Sequence, residues 1–302
     1  MTYFFLANPN SGVGRGQKAL NQLIPYMDDH QISYKIFKTT TEIRETQLLS
    51  ELLEEMTNDD KLVVVGGDGT MSLVLNQLPA DLPFSYIPAG SGNDFARSLN
   101  ISREPIEAFQ AILNAEKREF YVLRYSSSNL TGFALNNIGI GLDAAIVKAT
   151  NGSRSKAFFN KIKMGQISYF MTALRVLFVK KPFQVAVKSD ETFVKFDKAF
   201  LMTFTKHPFF GGGIQIAPTA SNLTNLIDLV EIDRHLLAKI FSKIPKLLKA
   251  EHLSDKTFYH ARSKAFEITS AVAQPVQIDG ESFDLAANET LILSTEKRII
   301  QN

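Results

Sequence analysis

The chain has no cysteine among its 302 residues, which removes disulfide frameworks, thiol nucleophiles and Cys-ligated zinc, and allows a reducing compartment. Histidine is scarce too. The five, His30, His207, His235, His252 and His260, show no metal-ligand spacing, and no G-x-S-x-G elbow occurs, so zinc and serine-hydrolase readings have no support. Excess charge of one sign is missing: 33 Lys and Arg stand against 31 Asp and Glu, a formal net charge of +2. That falls short of the basic excess of nucleic-acid proteins, and no nucleic-acid partner is expected. Long apolar runs are absent as well. The longest, ISYFMTALRVLFV at 167–179, contains Arg175 and is too short for a bilayer, while MTYFFLANPN lacks the basic start and apolar length of a signal peptide. Together these absences predict a soluble, cytoplasmic protein.

What is present is ordinary globular composition, 45% hydrophobic and 21% charged, at a length that suits two domains. In the first third, strand and helix signals alternate: YFFLA, a helix around Gln17 to Asp28, YKIF, a helix from about Glu42 to Met56, LVVV, a helix at Met71 to Leu78 after a Thr70 cap, and FSYI. Such alternation predicts a doubly wound, Rossmann-like parallel sheet. After Lys117 the pattern changes to strand-like segments separated by turn residues, among them EFYVLRYSS, GFALNNIGIGL, FQVAVKS, ETFVKFDKAFLMTF, LIDLVEI, AFEITS, PVQIDG and ETLILST. These predict a mostly antiparallel sandwich or barrel, interrupted by helical stretches at about 155–180 and 235–249. The expected division is an α/β domain over 1–126 and a β-rich domain over 127–289, with 290–302 returning to the first. No internal repeat is visible.

Three glycine-rich turns follow strands of the first domain: NPNSGVGRG at 8–16, GGDGT at 66–70 and PAGSGNDFAR at 88–97. In a parallel sheet such turns lie at the carboxyl ends of the strands, where ligands bind, and glycine lets backbone N–H groups approach phosphate. One such turn is weak evidence; three, rich in Ser, Thr, Asn and Asp, point to one crevice. No G-x-x-x-x-G-K-[ST] occurs, and Gly12, Gly14 and Gly16 are one residue short of G-x-G-x-x-G, which argues against Walker-type and NAD-Rossmann sites. Asp68, inside a phosphate loop, would repel the anion unless a cation sat between them. Asp68 and Asp94 are therefore candidates to hold Mg²⁺, directly or through water, against triphosphate oxygens. Turn and helix capping is the competing role for both.

These motifs, in this order, resemble the diacylglycerol kinase catalytic-domain family, which includes bacterial diacylglycerol kinases and related lipid kinases, sphingosine kinases and ceramide kinases. Gly66, Gly67, Asp68, Gly69 and Thr70 match in full, and Ser91 keeps the hydroxyl where the family often has Thr. NNIGIGLDA at 136–144 resembles the Gly-x-Gly-x-Asp segment, and QIDGE at 277–281 the late Asp-Gly-Glu. The resemblance spans nearly the whole chain and implies a diacylglycerol kinase/NAD kinase-like fold, a Rossmann-like domain followed by an antiparallel β-sandwich. It also implies ATP as co-substrate with Mg²⁺, a membrane lipid as acceptor with diacylglycerol leading, and Glu281 as general base beside Asp68. The nucleotide residues it implies are Asn8, Pro9, Ser11, Gly12, Thr39, Gly66, Gly67, Asp68, Gly69, Thr70, Gly90, Ser91, Asn93 and Asp94. Phosphoryl transfer needs mainly positioning, a metal and such a base; a solvated hairpin glutamate is the competing reading of Glu281.

One departure stands out. Where related bacterial enzymes often carry an Asp-Asp-Gly that helps to bind a structural metal, this chain has Leu223, Thr224 and Asn225, and Asp228 belongs to the following strand. A structural Mg²⁺ there is doubtful. HLLAKIFSKIPKLLKAEH puts Leu236, Leu237, Ile240, Phe241, Ile244, Leu247 and Leu248 near one helical face, with Lys239, Lys243, Lys246 and Lys249 elsewhere. Two uses are open for that face: packing on a sheet, which is favoured, or lying peripherally on the anionic inner surface of the membrane; an exposed apolar stripe would also suit a homodimer. SRSKAFFNKIKMG at 153–165 is a second candidate for lipid contact. Two alternatives to a lipid kinase remain: an NAD kinase-like enzyme, which shares GGDGT but should lack GSGNDFAR, and a catalytically weak nucleotide- or lipid-binding regulator.

Overall fold

The computed structural model describes residues 1–40, 45–151, 175–211, 213–234 and 237–302. The first half runs β1 (Tyr3–Ala7), α1 (Ser11–Asp29), β2 (Tyr34–Lys38), α2 (Glu45–Glu55), β3 (Lys61–Gly66), α3 (Asp68–Leu75), β4 (Phe84–Pro88), α4 (Asp94–Ser98) and α5 (Pro105–Asn114). Every residue of β1 and β4, and all of β3 after Lys61, is buried, as continuous apolar runs covered on both faces require. The strands pair in parallel in the order β2-β1-β3-β4. The chain leaves β1 in one direction to form β2 and then crosses to the other side to form β3. Right-handed crossovers running in opposite directions along the sheet put α1 and α5 together on one face and α2 and α3 on the other. The topological switch point therefore lies between β1 and β3, at the ends that carry the first two glycine turns.

The second half contains β5 (Arg118–Ser126), β6 (Thr131–Ala134), β7 (Asn137–Gly141), α6 (Leu142–Asn151), β8 (Phe183–Ser189), β9 (Phe193–Thr205), the short pair β10 (Phe209–Phe210) and β11 (Ile214–Gln215), and β12 (Ile227–Asp233). It continues with α7 (Leu237–Leu248), β13 (Phe258–Ser263), β14 (Phe266–Ser270), β15 (Gln274–Ile278), β16 (Glu281–Leu285) and β17 (Thr290–Ile300). All pairings among these strands are antiparallel, and the result is a β-sandwich whose interior holds Ile138, Ile140, Met202, Phe204, Leu229, Phe266 and Val276. A smaller cluster of Ile216, Val230 and Phe258 lies under α7.

β17 joins the halves. It pairs antiparallel with β5 from Ile292↔Ser126 to Ile300↔Arg118, and at Ile300 also pairs in parallel with Phe84 of β4. Gln301 and Asn302 continue that edge: Gln301 N–H donates to Phe84 O (2.8 Å), and Asn302 exchanges hydrogen bonds with Tyr86 N–H and O (both 2.8 Å).

The fold class matches the expectation from sequence, with local differences. α3 begins at Asp68 with Gly67 at its cap, so Thr70 lies inside the helix rather than capping it. The short β10 and β11, β13 and β16 were not among the expected strands, and β17 runs five residues past ETLILST, through Glu296, Lys297 and Arg298 to Ile300. The 153–165 segment and most of the helix expected at 155–180 lie outside the described residues. Among the described residues no helix is long and apolar enough to cross a membrane. On α7, Phe241, Ile244 and Leu248 stay 42%, 41% and 69% exposed while Leu247 packs on the small cluster beneath, so among the described side chains this apolar face is divided between the sheet side and the surface.

Candidate active site

The three glycine turns meet because their backbones touch. A Cβ on Gly67 would lie 3.0 Å from Gly90 Cα, one on Gly90 would lie 2.6 Å from Gly67 Cα, and one on Gly12 would strike Ala89 O at 2.3 Å. No side chain fits between these turns. Gly12, Val13 and Gly14 have φ of 56°, 61° and 84°, a left-handed stretch at the start of α1 that leaves Val13 97% exposed. For a β-branched residue that conformation is strained. Arg15 reaches across and donates to Gly90 O at 3.1 Å, tying the first turn to the third.

The turns open onto a cavity of about 720 Å³, lined among others by Asn8, Ser11, Gly12, Gly67, Asp68, Gly69, Thr70, Gly90 and Ser91. Glu281 lines the same cavity from the β15–β16 hairpin. Ten of the residues singled out in the sequence thus share one space. Pro9, Thr39, Gly66, Asn93 and Asp94 do not line it. Gly66 ends β3 against Thr70, whose side chain sits 2.7 Å from where a Cβ would be. Thr39 is buried at the end of β2, its N–H on Ala7 O (2.9 Å). Asn93, at φ 57°, braces its own loop by accepting from Gly90 N–H (2.9 Å) and donating to Gly90 O (3.0 Å).

Asp68 opens α3 with one carboxylate oxygen engaged: Oδ2 accepts from Asp94 N–H at 3.1 Å. Its Oδ1 is buried and has no hydrogen-bond partner. Burial pushes the Asp68 carboxyl up to about 6, the nearby Asp94 and Asp279 carboxylates add to this, and the Asp94 N–H opposes it. A buried, unpartnered carboxylate oxygen facing a phosphate-type loop suits a cation. Among the described residues no three His, Cys, Asp or Glu side chains are arranged so that they could hold a metal ion together, so the protein offers a divalent ion few ligands of its own. That donor set fits Mg²⁺, which keeps its waters and takes substrate phosphates plus one or two carboxylates. Asp94 is differently placed. It is paired with Arg97, whose guanidinium lies 5.2 Å from the Phe209 ring centroid.

Several residues not singled out in the sequence hold this arrangement. Glu45, at the start of α2, accepts from Asn8 Nδ2 (2.8 Å), and the same Nδ2 lies 3.1 Å from Thr70 Oγ1, joining three elements under the cavity floor. Asp279 does more. It and Gly280 form the two-residue turn between β15 and β16 with φ of 49° and 87°, the positive values that a tight Asp-Gly hairpin needs. The Asp279 side chain leaves the turn: Oδ2 accepts from Ser72 Oγ (2.7 Å) and Leu135 N–H (2.6 Å), Oδ1 from Asn136 N–H (2.8 Å) and Asn137 N–H (3.2 Å). It clamps the hairpin that carries Glu281 onto α3 and onto the start of β7. Burial raises its carboxyl while these four bonds pull it down.

Behind the clamp, His207 is fully buried. Its Nδ1 accepts from Phe209 N–H (3.2 Å), which leaves Nε2 to donate to Asn136 Oδ1 (2.9 Å). Burial pulls His207 down to about 4, so it is neutral and fixed in one tautomer. Asp143, from the NNIGIGLDA segment, is buried and pushed up to about 6, and it accepts from Gln277 Nε2 at 3.4 Å. Its Oδ2 occupies the space of a Cβ on Gly139, which explains why that motif needs glycine two residues into the strand.

Residues 2–125 match the family described as diacylglycerol kinase catalytic domain, and residues 136–292 the one described as YegS C-terminal NAD kinase beta sandwich-like domain. The protein named "Putative lipid kinase YtlR" of Bacillus subtilis (strain 168) is 26% identical over 293 residues, covering 92% of this chain and 93% of its own. The diacylglycerol kinase of the same organism is 26% identical over 279 residues, covering 91% and 88%. Among solved structures, one described as a putative diacylglycerol kinase from Bacillus anthracis str. Sterne superposes with a TM-score of 0.76 at 21% identity, covering 100% of this chain and 97% of that one, a likeness of fold.

Proposed function

Given that the chain belongs to the diacylglycerol kinase catalytic-domain family, we propose that it is an ATP-dependent lipid kinase that transfers the γ-phosphate to a lipid hydroxyl, with diacylglycerol the leading acceptor. The observation that carries this reading is the convergence of Asp68 and Glu281, from different halves of the fold, on one cavity floored by three glycine turns.

The triphosphate lies on the N–H groups of the turns at Gly12, Gly67–Thr70 and Gly90–Ser91, with the positive end of α3 beneath it. Asp68 Oδ1 is the protein oxygen for Mg²⁺. When bound, Mg²⁺ neutralises the triphosphate oxygens and the charge that develops on the transferred group. Asp94 acts on this site through the N–H it gives to Asp68 and the charge it balances with Arg97. Glu281 sits at the exposed lip, where the lipid hydroxyl enters beside the half-exposed Leu73. It takes the hydroxyl proton as the oxygen attacks the γ-phosphorus and the bond to the ADP oxygen breaks, giving lipid phosphomonoester and ADP. In this reading residues 1–126 with 290–302 form the nucleotide half and 127–289 the acceptor half. α7, with Phe241, Ile244 and Leu248 outward and Lys239, Lys246 and Lys249 around them, rests on the anionic inner face of the membrane.

The test is transfer of labelled γ-phosphate from Mg·ATP to diacylglycerol, phosphatidylglycerol, sphingosine and ceramide in mixed micelles, with NAD as a soluble control. Label in a lipid, lost in both Asp68→Asn and Glu281→Gln, is the expected result. Label in NAD alone would replace the reading with a soluble-substrate kinase, and nucleotide binding without transfer would leave a regulator.

A further inference from the structure

Leu223, Thr224 and Asn225 supply no carboxylate, and the loop they belong to already holds a cation. Lys206, the residue after β9, is fully buried, and its Nζ donates to the backbone carbonyls of Thr224 and Leu226. The same ammonium lies 5.7 Å from the Tyr121 ring centroid, a favourable distance for a cation over an aromatic face. The loop it gathers is a junction. Asn222 O accepts from Tyr121 N–H of β5 (2.7 Å), and Asn225 O lies 3.5 Å from Thr295 Oγ1 of β17, so it touches both strands that cross between the halves.

The two carbonyls converge on an ammonium whose side chain is itself fully buried, so the point they share is filled by a donor. A Mg²⁺ site needs a near-octahedral set of oxygens about 2.0–2.1 Å from the metal. At this point there are two carbonyls, no carboxylate from residues 223–225, and a fixed positive charge that repels a second one. We propose that the Lys206 ammonium is a tethered, permanent cation that organises the 221–226 loop, so that this chain joins its two halves without a structural divalent metal.

The surroundings keep the amine charged. The groups acting on it are Asp228 on β12, Arg262 on β13 and the Tyr121 ring on β5, with His260 of β13 on the far side of its partner Asp228. Asp228, fully buried, is the counter-charge, held in turn by His260 Nε2 (2.8 Å), Arg262 Nε (3.3 Å) and Thr219 Oγ1 (3.2 Å). Burial pulls Lys206 down to about 8, with Asp228 opposing and Arg262 adding, which still leaves an ammonium at pH 7.

The inference stands apart from the kinase reading and is tested without activity. Thermal unfolding of the full chain, nucleotide-free, is compared in chelator and in millimolar Mg²⁺, Mn²⁺ or Ca²⁺, on the wild type and on Asp68→Asn, so that a cation at the catalytic carboxylate is not mistaken for one at the loop. Both are expected to keep the same Tm in chelator and metal, to within about 1 °C. Lys206→Met should lower Tm by about 5 °C or more, the scale expected when two carbonyls lose a shared buried donor. A metal-dependent rise of several degrees in Asp68→Asn would overturn the proposal, as would Lys206→Met unfolding with the wild type. Should Lys206→Met fail to fold, the chelator comparison on the two lysine-containing proteins still decides.

Discussion

Exchanging Asp279 for asparagine alters a single atom of the clamp and should disable it. In the wild type one carboxylate oxygen serves Ser72 and Leu135 and the other serves Asn136 and Asn137. Whichever way the new amide is turned, its NH₂ faces either one backbone N–H (Leu135) or two (Asn136 and Asn137). The Ser72 hydroxyl escapes by rotating to accept. One or two buried donors lose their acceptor at about 1–3 kcal/mol each, so a loss of about 2–4 kcal/mol is expected. That corresponds to a fall in Tm of about 5–12 °C for a chain of this size. Ser72→Ala, which removes one hydroxyl, should lose about 1 kcal/mol. The assay is thermal unfolding beside steady-state transfer of phosphate to the acceptor identified in the micelle experiment. Because Glu281 rides on the Asp279 hairpin while Asp68 does not, kcat should fall at least about tenfold with the KM for Mg·ATP little changed. A variant with wild-type Tm and wild-type kcat would refute the clamp.

Three further outcomes follow from the geometry. Asp68 must be ionised to hold a cation and is pushed up to about 6, so the KM for Mg·ATP should rise as pH falls below about 6; a KM flat to pH 5 would contradict this. Glu231 is 2% exposed and is pushed up to about 8 by burial, with Asp233 adding. Its folded form binds a proton more tightly than the unfolded one, so it is least harmful below its ordinary value of 4.5 and subtracts stability as pH rises from there to about 8. Glu231→Gln should accordingly match the wild-type Tm near pH 4.5 and exceed it by several degrees at pH 8. Gly12→Ala should weaken nucleotide binding at least about tenfold by equilibrium titration, since a Cβ there meets Ala89 O and the turn must separate from its neighbour.

The first half was legible because its signals are local: an apolar run, a glycine turn and a periodic helix recur in order, and the parallel sheet follows. The candidate site was legible where glycine was required by backbone contact, as at Gly67 and Gly90. What the sequence does not display is held by backbone partners or by burial. Asp279 reads as half of a turn dipeptide, and nothing in QIDGE announces that its oxygens collect the N–H groups of residues 135–137. Lys206 looks like any solvated lysine after a strand, since its partners are carbonyls contributed by unrelated residue types. The strand-like signal of ETLILST ends at Thr295, and the charged Glu296, Lys297 and Arg298 that follow carry no strand signal of their own. Yet Arg298, 2% exposed, places its guanidinium on Leu78 O and 4.4 Å from the Phe133 ring centroid, which lets the strand continue through a charged stretch.

That long strand also sets a timetable. The ribosome makes β4 about two hundred residues before it makes the partner for that edge, a delay of roughly 10–40 s at about 5–20 residues per second. Until Ile300 arrives beside Phe84, the parallel sheet ends in an unpaired apolar strand, the kind of edge to which other chains add. The half of the protein that is synthesised first is therefore sealed only after the whole sandwich has been made.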